Sequence, residues 1–151
     1  MIALRTAHYR NDRAHGVASF HFGNTHGASS NIGRNLAGFI QREIVARTPL
    51  TDCHYHGRTW DIVRLTRMPT VQIDIGYTTN PHDAAVLASP QMRDTIAEAI
   101  LVAVKRLYLL GENDRPTGTY TFAELLELEE VRQVAVVAER EPGPAADNEK
   151  A

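Results

Sequence analysis

The stretch Met68 to Asp83, MPTVQIDIGYTTNPHD, carries the residues best placed to do chemistry. It reads as a buried strand, then a glycine turn, then a capped helix, so Asp74 falls near the carboxyl end of a strand. Open α/β sheets collect their functional groups at such ends. A carboxylate there can move a proton or bind a cation. A second group of candidates is Asp52-Cys53-His54-Tyr55-His56, with His8 and His21 elsewhere. Cysteine and histidine at this density can bind zinc, yet the spacing matches no common zinc motif. Cys53 has histidines nearby but no recognisable environment that would lower its pKa, so a nucleophilic role is not expected.

These residues must be positioned by ordinary elements. Ile2–Leu4 reads as a strand and residues 8–16 as a polar, basic loop. Val17–Phe22 alternates, with Phe20 and Phe22 on one face and Ser19 and His21 on the other. Gly23–Gly27 turns the chain. Ile32, Leu36, Phe39, Ile40 and Ile44 recur at helical spacing, predicting a helix from about Ser30 to Arg47, with Pro49 just beyond it. Residues 50–59 read as a polar loop, and Trp60–Leu65 and Thr70–Ile75 as strands. Asn80-Pro81 and Ser89-Pro90 are helix starts, each a capping side chain followed by proline at the first helical position. The second helix is expected to bury Ile96, Ala97, Ile100, Val104, Leu107 and Tyr108 and to close at Gly111. Phe122–Val137 could form an acidic helix, and Glu141–Ala151 is expected to be disordered.

Composition bounds the function classes. The 151 residues suit one compact domain, with 43% hydrophobic and 23% charged residues. Residues 1–111 hold twelve basic and eight acidic groups, whereas 112–151 hold four and ten. The reading is therefore a basic domain over 1–111 and an acidic tail over 112–151. Eleven of the twelve body cations are arginine, which permits bidentate contacts to carboxylate or phosphate. No dense basic stripe or recognition motif points to nucleic acid. A single cysteine excludes an internal disulfide. Neither a secretory signal nor a span of ~18 apolar residues is visible, so the expected location is cytoplasmic. Trp60 and Tyr77 are weighed as groove residues but read more simply as packing. Thr117, Thr119 and Thr121 could be phosphorylated, although nothing in the sequence requires it.

Taken in order, the elements resemble the C-terminal half of the zinc-dependent N-acetylmuramoyl-L-alanine amidases of the amidase-3 family. The resemblance covers roughly Ile2 to Leu110. It rests on GVASFHFGN with its following helix, on DIVRLTRMPTVQIDIGYTTNPHDAAVL, and on RDTIAEAILVAVKRLYLL. It implies an α/β fold, a mostly parallel sheet with helices on both faces, here N-terminally truncated. An edge strand left open by such truncation implies marginal folding or aggregation.

The family hydrolyses the amide joining muramic acid to the peptidoglycan stem peptide. By resemblance, zinc is held by two histidines and a glutamate, and a second glutamate polarises water. Zinc lowers the pKa of its bound water toward ~7. The resemblance places the first two ligands upstream of this chain and puts Arg5 at the last histidine position. Arginine stays protonated and cannot ligate a metal. Asp74 stands at the catalytic glutamate position, one methylene shorter, and a misplacement of ~1 Å can cost on the order of 10²-fold in rate.

The expectation is thus a catalytically degenerate amidase-like module that regulates peptidoglycan precursor synthesis through protein contacts. The family's regulatory members imply an enolpyruvyl transferase of the MurA type and a lipid flippase of the MurJ type as partners. An Arg5–Asp74 ion pair is expected in the former metal site, with Arg64 as another candidate partner. Tyr77 and Asn80 are further candidate binding residues. The alternative is an active zinc amidase acting on peptidoglycan, its ligands supplied upstream or by His8, His54 or His56.

Overall fold

The computed structural model describes residues 1–110 and 118–140. Gly111, Thr117 and the expected disordered stretch Glu141–Ala151 lie outside them. Four strands form one sheet: β1 (Ile2–Ala7), β2 (Val17–Phe22), β3 (Asp52–Arg58) and β4 (Val71–Tyr77). Their order across the sheet is β1-β4-β2-β3. β1–β4 and β2–β3 are parallel, and the central β2–β4 pair is antiparallel. The sheet is mostly parallel, as expected.

The core lies on one face of the sheet. Val17, Val71, Ile73 and Ile75 meet α1 (Asn31–Arg47) through Leu36, Ala37, Ile40 and Ile44. α4 (Pro90–Lys105) adds Ile96, Ala99 and Ala103 to the same cluster. Removing such side chains from water stabilises by ~1.5–3 kcal/mol each. Sequence sets the helix starts. The Ser30 side chain accepts from Gly33 N–H at α1, and Ser89 accepts from Met92 N–H at α4. Between them α3 (Pro81–Ala88) is capped by Asn80, which accepts from the backbone N–H of His82 and Asp83.

Three expectations need correction. Residues 50–59 are not a loop: Asp52–Arg58 is β3. As the outermost strand it needs little apolar surface, which disguises it as a polar loop. A register shift sits where Val17↔Asp52 gives way to Ser19↔Tyr55, and there His54 takes φ 61°, as a β-bulge permits. The segment Trp60–Leu65 is not a strand. It holds a one-turn helix, α2 (Asp61–Arg64), closed by Val63 and Arg64 N–H donating to the Trp60 carbonyl. Arg64 pairs with Asp61 one turn back at 2.8 Å, a helical spacing that outweighs the β-branched Ile62 and Val63. Tyr108 is exposed and Ala97 lies outside the buried set. Helical spacing puts Ala97 and Tyr108 together with exposed Leu101, on the side of α4 away from Ile96, Ala99 and Ala103, and α4 then passes into a π-helical turn over Arg106–Leu110.

The second face of the sheet is nearly open. Among the described helices α2 serves it, with Trp60 tilted against Phe20 at a centroid distance of 4.7 Å. Helices therefore lie on both faces, very unequally. β1 hydrogen-bonds to β4 on one side only, and Leu4 is 58% exposed.

The last described helix, α5 (Phe122–Arg140), matches the acidic helix expected there. Its Leu125, with Tyr120, packs on Val102 of α4. Beneath it lies an interior ion pair. Arg106 and Glu43 have no exposed side-chain area and bond to one another. Arg47 takes the second Glu43 oxygen and also donates to the Tyr120 carbonyl. The Arg106 guanidinium lies between the rings of Phe39 and Tyr120, 5.2 and 5.1 Å from their centroids. It also donates to the Gly118 carbonyl at 3.0 Å. No described helix is long and apolar enough to cross a membrane.

Candidate functional site: an arginine on the β4 carboxylate

β1 and β4 run parallel with Arg5 opposite Asp74, so their side chains emerge side by side on the open face. Arg5 Nε donates to Asp74 Oδ1 at 2.9 Å and Nη2 to Oδ2 at 2.5 Å. Gln72, two residues back on the same face, donates from Nε2 to Oδ1 at 3.0 Å. Both carboxylate oxygens therefore face N–H donors. The Asp74 side chain is 10% exposed and that of Arg5 56%, so the pair closes the crevice from its solvent side. Hydrogen bonding to Asp74 raises the Arg5 pKa above its ordinary value, and partial burial opposes that rise. The guanidinium is a fixed cation here.

Asp83 holds this strand end in place. It is fully buried, and its Oδ2 accepts from Gly16 N–H at 2.7 Å and Tyr77 N–H at 2.9 Å. The loop before β2 is thereby tied to the end of β4. Gly16 is required: its φ is +101°, and a Cβ there would stand 2.4 Å from the Thr51 carbonyl oxygen. Sequence reasoning reads Asp83 only as a first-turn acid and Gln72 only as a polar strand residue. The glycine turn beside Asp83 is the one signal that could have flagged it.

The other expected residues disperse. Tyr77 ends β4, near enough to Arg5 to interact electrostatically, and burial raises its pKa. Arg64 is committed to Asp61 rather than Asp74. Asn80 caps α3 and donates from Nδ2 to the Asp12 carbonyl at 2.6 Å, a structural use of its side chain. His8 is exposed after β1.

His54 and His56 sit on β3, two strands and about 10 Å from β4, too far to share a metal with Asp74. His54 Nδ1 lies 3.3 Å from Asp52, and His56 Nε2 donates to the Cys53 carbonyl at 2.7 Å. Burial, with Asp52 and Asp83 nearby, pushes the Cys53 thiol up, and its Sγ donates to the His15 carbonyl. A raised pKa disfavours the thiolate that a nucleophile needs.

The zinc that the resemblance implies requires lone pairs converging on one point. Among the described residues no three His, Cys, Asp or Glu side chains converge in this way. Arg5 directs N–H groups at the one carboxylate in the crevice. The described residues do not fit the metal.

Comparison with known proteins gives the family. Residues 6–106 match amidase-3, described as N-acetylmuramoyl-L-alanine amidase. The chain is 72% identical over 126 residues to the N-acetylmuramoyl-L-alanine amidase CwlM of Mycobacterium tuberculosis, covering 83% of this chain and 31% of that protein. It thus spans about a third of the curated relative. An N-acetylmuramoyl-L-alanine amidase of Clostridium difficile 630 superposes with a TM-score of 0.62 at 20% identity, over 70% of this chain and 56% of that one. The catalytic domain of CwlV from Bacillus (Paenibacillus) polymyxa var. colistinus does so with 0.61 at 17%, over 70% and 55%. These two likenesses concern the fold alone. Sequence match and fold agree: the chain belongs to the amidase-3 family of N-acetylmuramoyl-L-alanine amidases.

Proposed function

We propose that this is a catalytically degenerate amidase-3 domain that regulates peptidoglycan precursor synthesis by binding other proteins. The observation that supports this reading is the two-pronged contact of Arg5 with Asp74. A carboxylate that moves a proton from water must present a free lone pair toward that water. Asp74 is engaged by Arg5 and Gln72 instead. A metal cation would also have to approach a fixed guanidinium, and like charges at such range repel. The proposed partners are proteins of cell-wall synthesis, a MurA-type transferase and a MurJ-type flippase.

The name of the M. tuberculosis relative favours a second reading, an active N-acetylmuramoyl-L-alanine amidase, which by family resemblance would use zinc and cleave peptidoglycan. One assay separates the two. The intact protein is incubated with peptidoglycan and zinc, and release of stem peptide is followed by mass spectrometry. No release above the buffer blank is expected. Release that Asp74→Ala abolishes would establish the hydrolase.

A further inference from the structure

The end of the sheet opposite the Arg5–Asp74 crevice carries a different kind of site. β2 and β3 run parallel, and both end beside the start of α1. The connection from β2 to α1, Gly-Asn-Thr-His-Gly-Ala-Ser-Ser, is a small-residue loop leading into a helix. A cleft of about 920 Å³ opens there, lined by His21, His26, Arg34, Tyr55, Arg58 and small residues. No acidic residue lines it, and none lies in the first turn of α1. In a chain of net charge −2 that is a marked local excess of positive charge.

The backbone N–H groups of Gly23, Asn24, His26, Ala28, Ser30 and Gly33 are taken by the fold, but the long side chains of the cleft are not. Arg34 has no ion pair or side-chain hydrogen bond among the described residues. Arg58 is held over Phe20 and Trp60, 5.5 and 5.8 Å from their centroids, and gives one N–H to its neighbour's carbonyl. That contact orients the guanidinium and leaves most of its N–H groups for a ligand. His21 is 6% exposed. Its Nδ1 donates to the Phe22 carbonyl at 2.8 Å, which fixes the tautomer and leaves Nε2 without a partner among the described residues. The ring stands against Gly23, where an added Cβ would meet its Cε1 at 3.4 Å, at the mouth of the loop. A 17-residue helix adds its partial positive charge at the same point.

From this convergence we propose that the cleft binds a small phosphate-bearing molecule. The phosphate sits between Arg34 and Arg58 at the start of α1, and His21 Nε2, an acceptor in this tautomer, takes a hydrogen bond from a hydroxyl of the phosphate or of the group that bears it. Two guanidinium forks match tetrahedral oxyanions better than a lone carboxylate. The cleft's volume falls in the range of small-ligand sites. The site is separate from the β4 crevice, so it stands or falls apart from the amidase-3 degeneracy.

Isothermal titration of the intact protein with inorganic pyrophosphate, at constant ionic strength set with chloride, tests this. Saturable binding is expected near one per chain. Arg34→Ala should weaken it at least tenfold, as should Arg58→Ala. Arg64→Ala, which removes an arginine paired with Asp61, should leave it unchanged. Arg34 is exposed on α1, so its variant is expected to fold, and an unchanged melting profile checks that. Absence of saturable binding overturns the proposal, as does equal loss in all three variants. Single-stranded oligonucleotide that binds more tightly with length, while pyrophosphate does not compete, would assign the cleft to nucleic acid and also overturn it.

Discussion

Two of the arginine–carboxylate pairs in this domain work under opposite conditions. At the sheet edge Arg5 holds Asp74 from the solvent side, with its own side chain more than half exposed. In the interior Arg106 holds Glu43 with neither side chain reaching water, and the Phe39 and Tyr120 rings and the Gly118 carbonyl lie against the guanidinium. An ion pair in the interior has lost its hydration and depends on every remaining partner. One at the rim keeps much of its hydration and contributes little to stability. The interior pair is therefore an anchor, joining α1 to the π-helical turn and to the segment before α5. The rim pair is a change of chemistry that the fold tolerates.

Breaking the interior pair should have the largest effect. Glu43→Gln leaves Arg106 buried beside a neutral amide, and a loss of about 3–5 kcal/mol is expected. Small domains hold only ~5–15 kcal/mol in all, so chemical denaturation should show a greatly weakened or unfolded protein. The triple variant Glu43→Leu, Arg47→Met, Arg106→Met removes all three charges and should recover much of that loss. Recovery no better than the single variant would mean the pair's geometry, rather than its desolvation, is what matters.

At the rim, Arg5→Ala strands a mostly buried carboxylate with Gln72 alone. Urea denaturation should register about 1 kcal/mol, held down by the solvent that replaces the guanidinium. Asp74→Ala should cost less, because Arg5 returns to water. A loss at Arg5 rivalling that at Glu43 would erase the contrast between the two pairs.

A comparable small loss, ~1 kcal/mol, is expected for Asn80→Ala, with Asn80→Ser close to neutral, because the side chain caps α3. The smallest effect concerns Cys53. Alkylation by iodoacetamide at pH 8 should run slower than for a free cysteine, since burial raises the thiol pKa and the reactive thiolate is scarce. Alkylation faster than the free amino acid would reinstate Cys53 as a candidate nucleophile.

How far the sequence reveals this arrangement depends on the range of the force involved. α1 is legible from its apolar spacing and Ser30, and α3 and α4 from their Asn-Pro and Ser-Pro starts, because capping and periodicity are local. β4 is legible because a strand in mid-sheet must be apolar. β3 is not, because an edge strand may be polar and this one is bulged at His54. α2 escapes because a single turn carries no period. The Arg5–Asp74 contact could be anticipated once β1 and β4 were paired through the family resemblance. Glu43 and Arg106, 63 positions apart, carry no sign of one another in the chain. Asp83 reads as a helix cap acid, yet it ties two loops together from the interior.

The central claim is that the Arg5–Asp74 crevice is closed to zinc. Elemental analysis of the intact, dialysed protein, alongside Arg5→His, tests it most directly. The account predicts far less than one zinc per chain in the unaltered protein, whatever the substituted one retains. One tightly held zinc per chain in the unaltered protein, lost on Asp74→Ala, would contradict it.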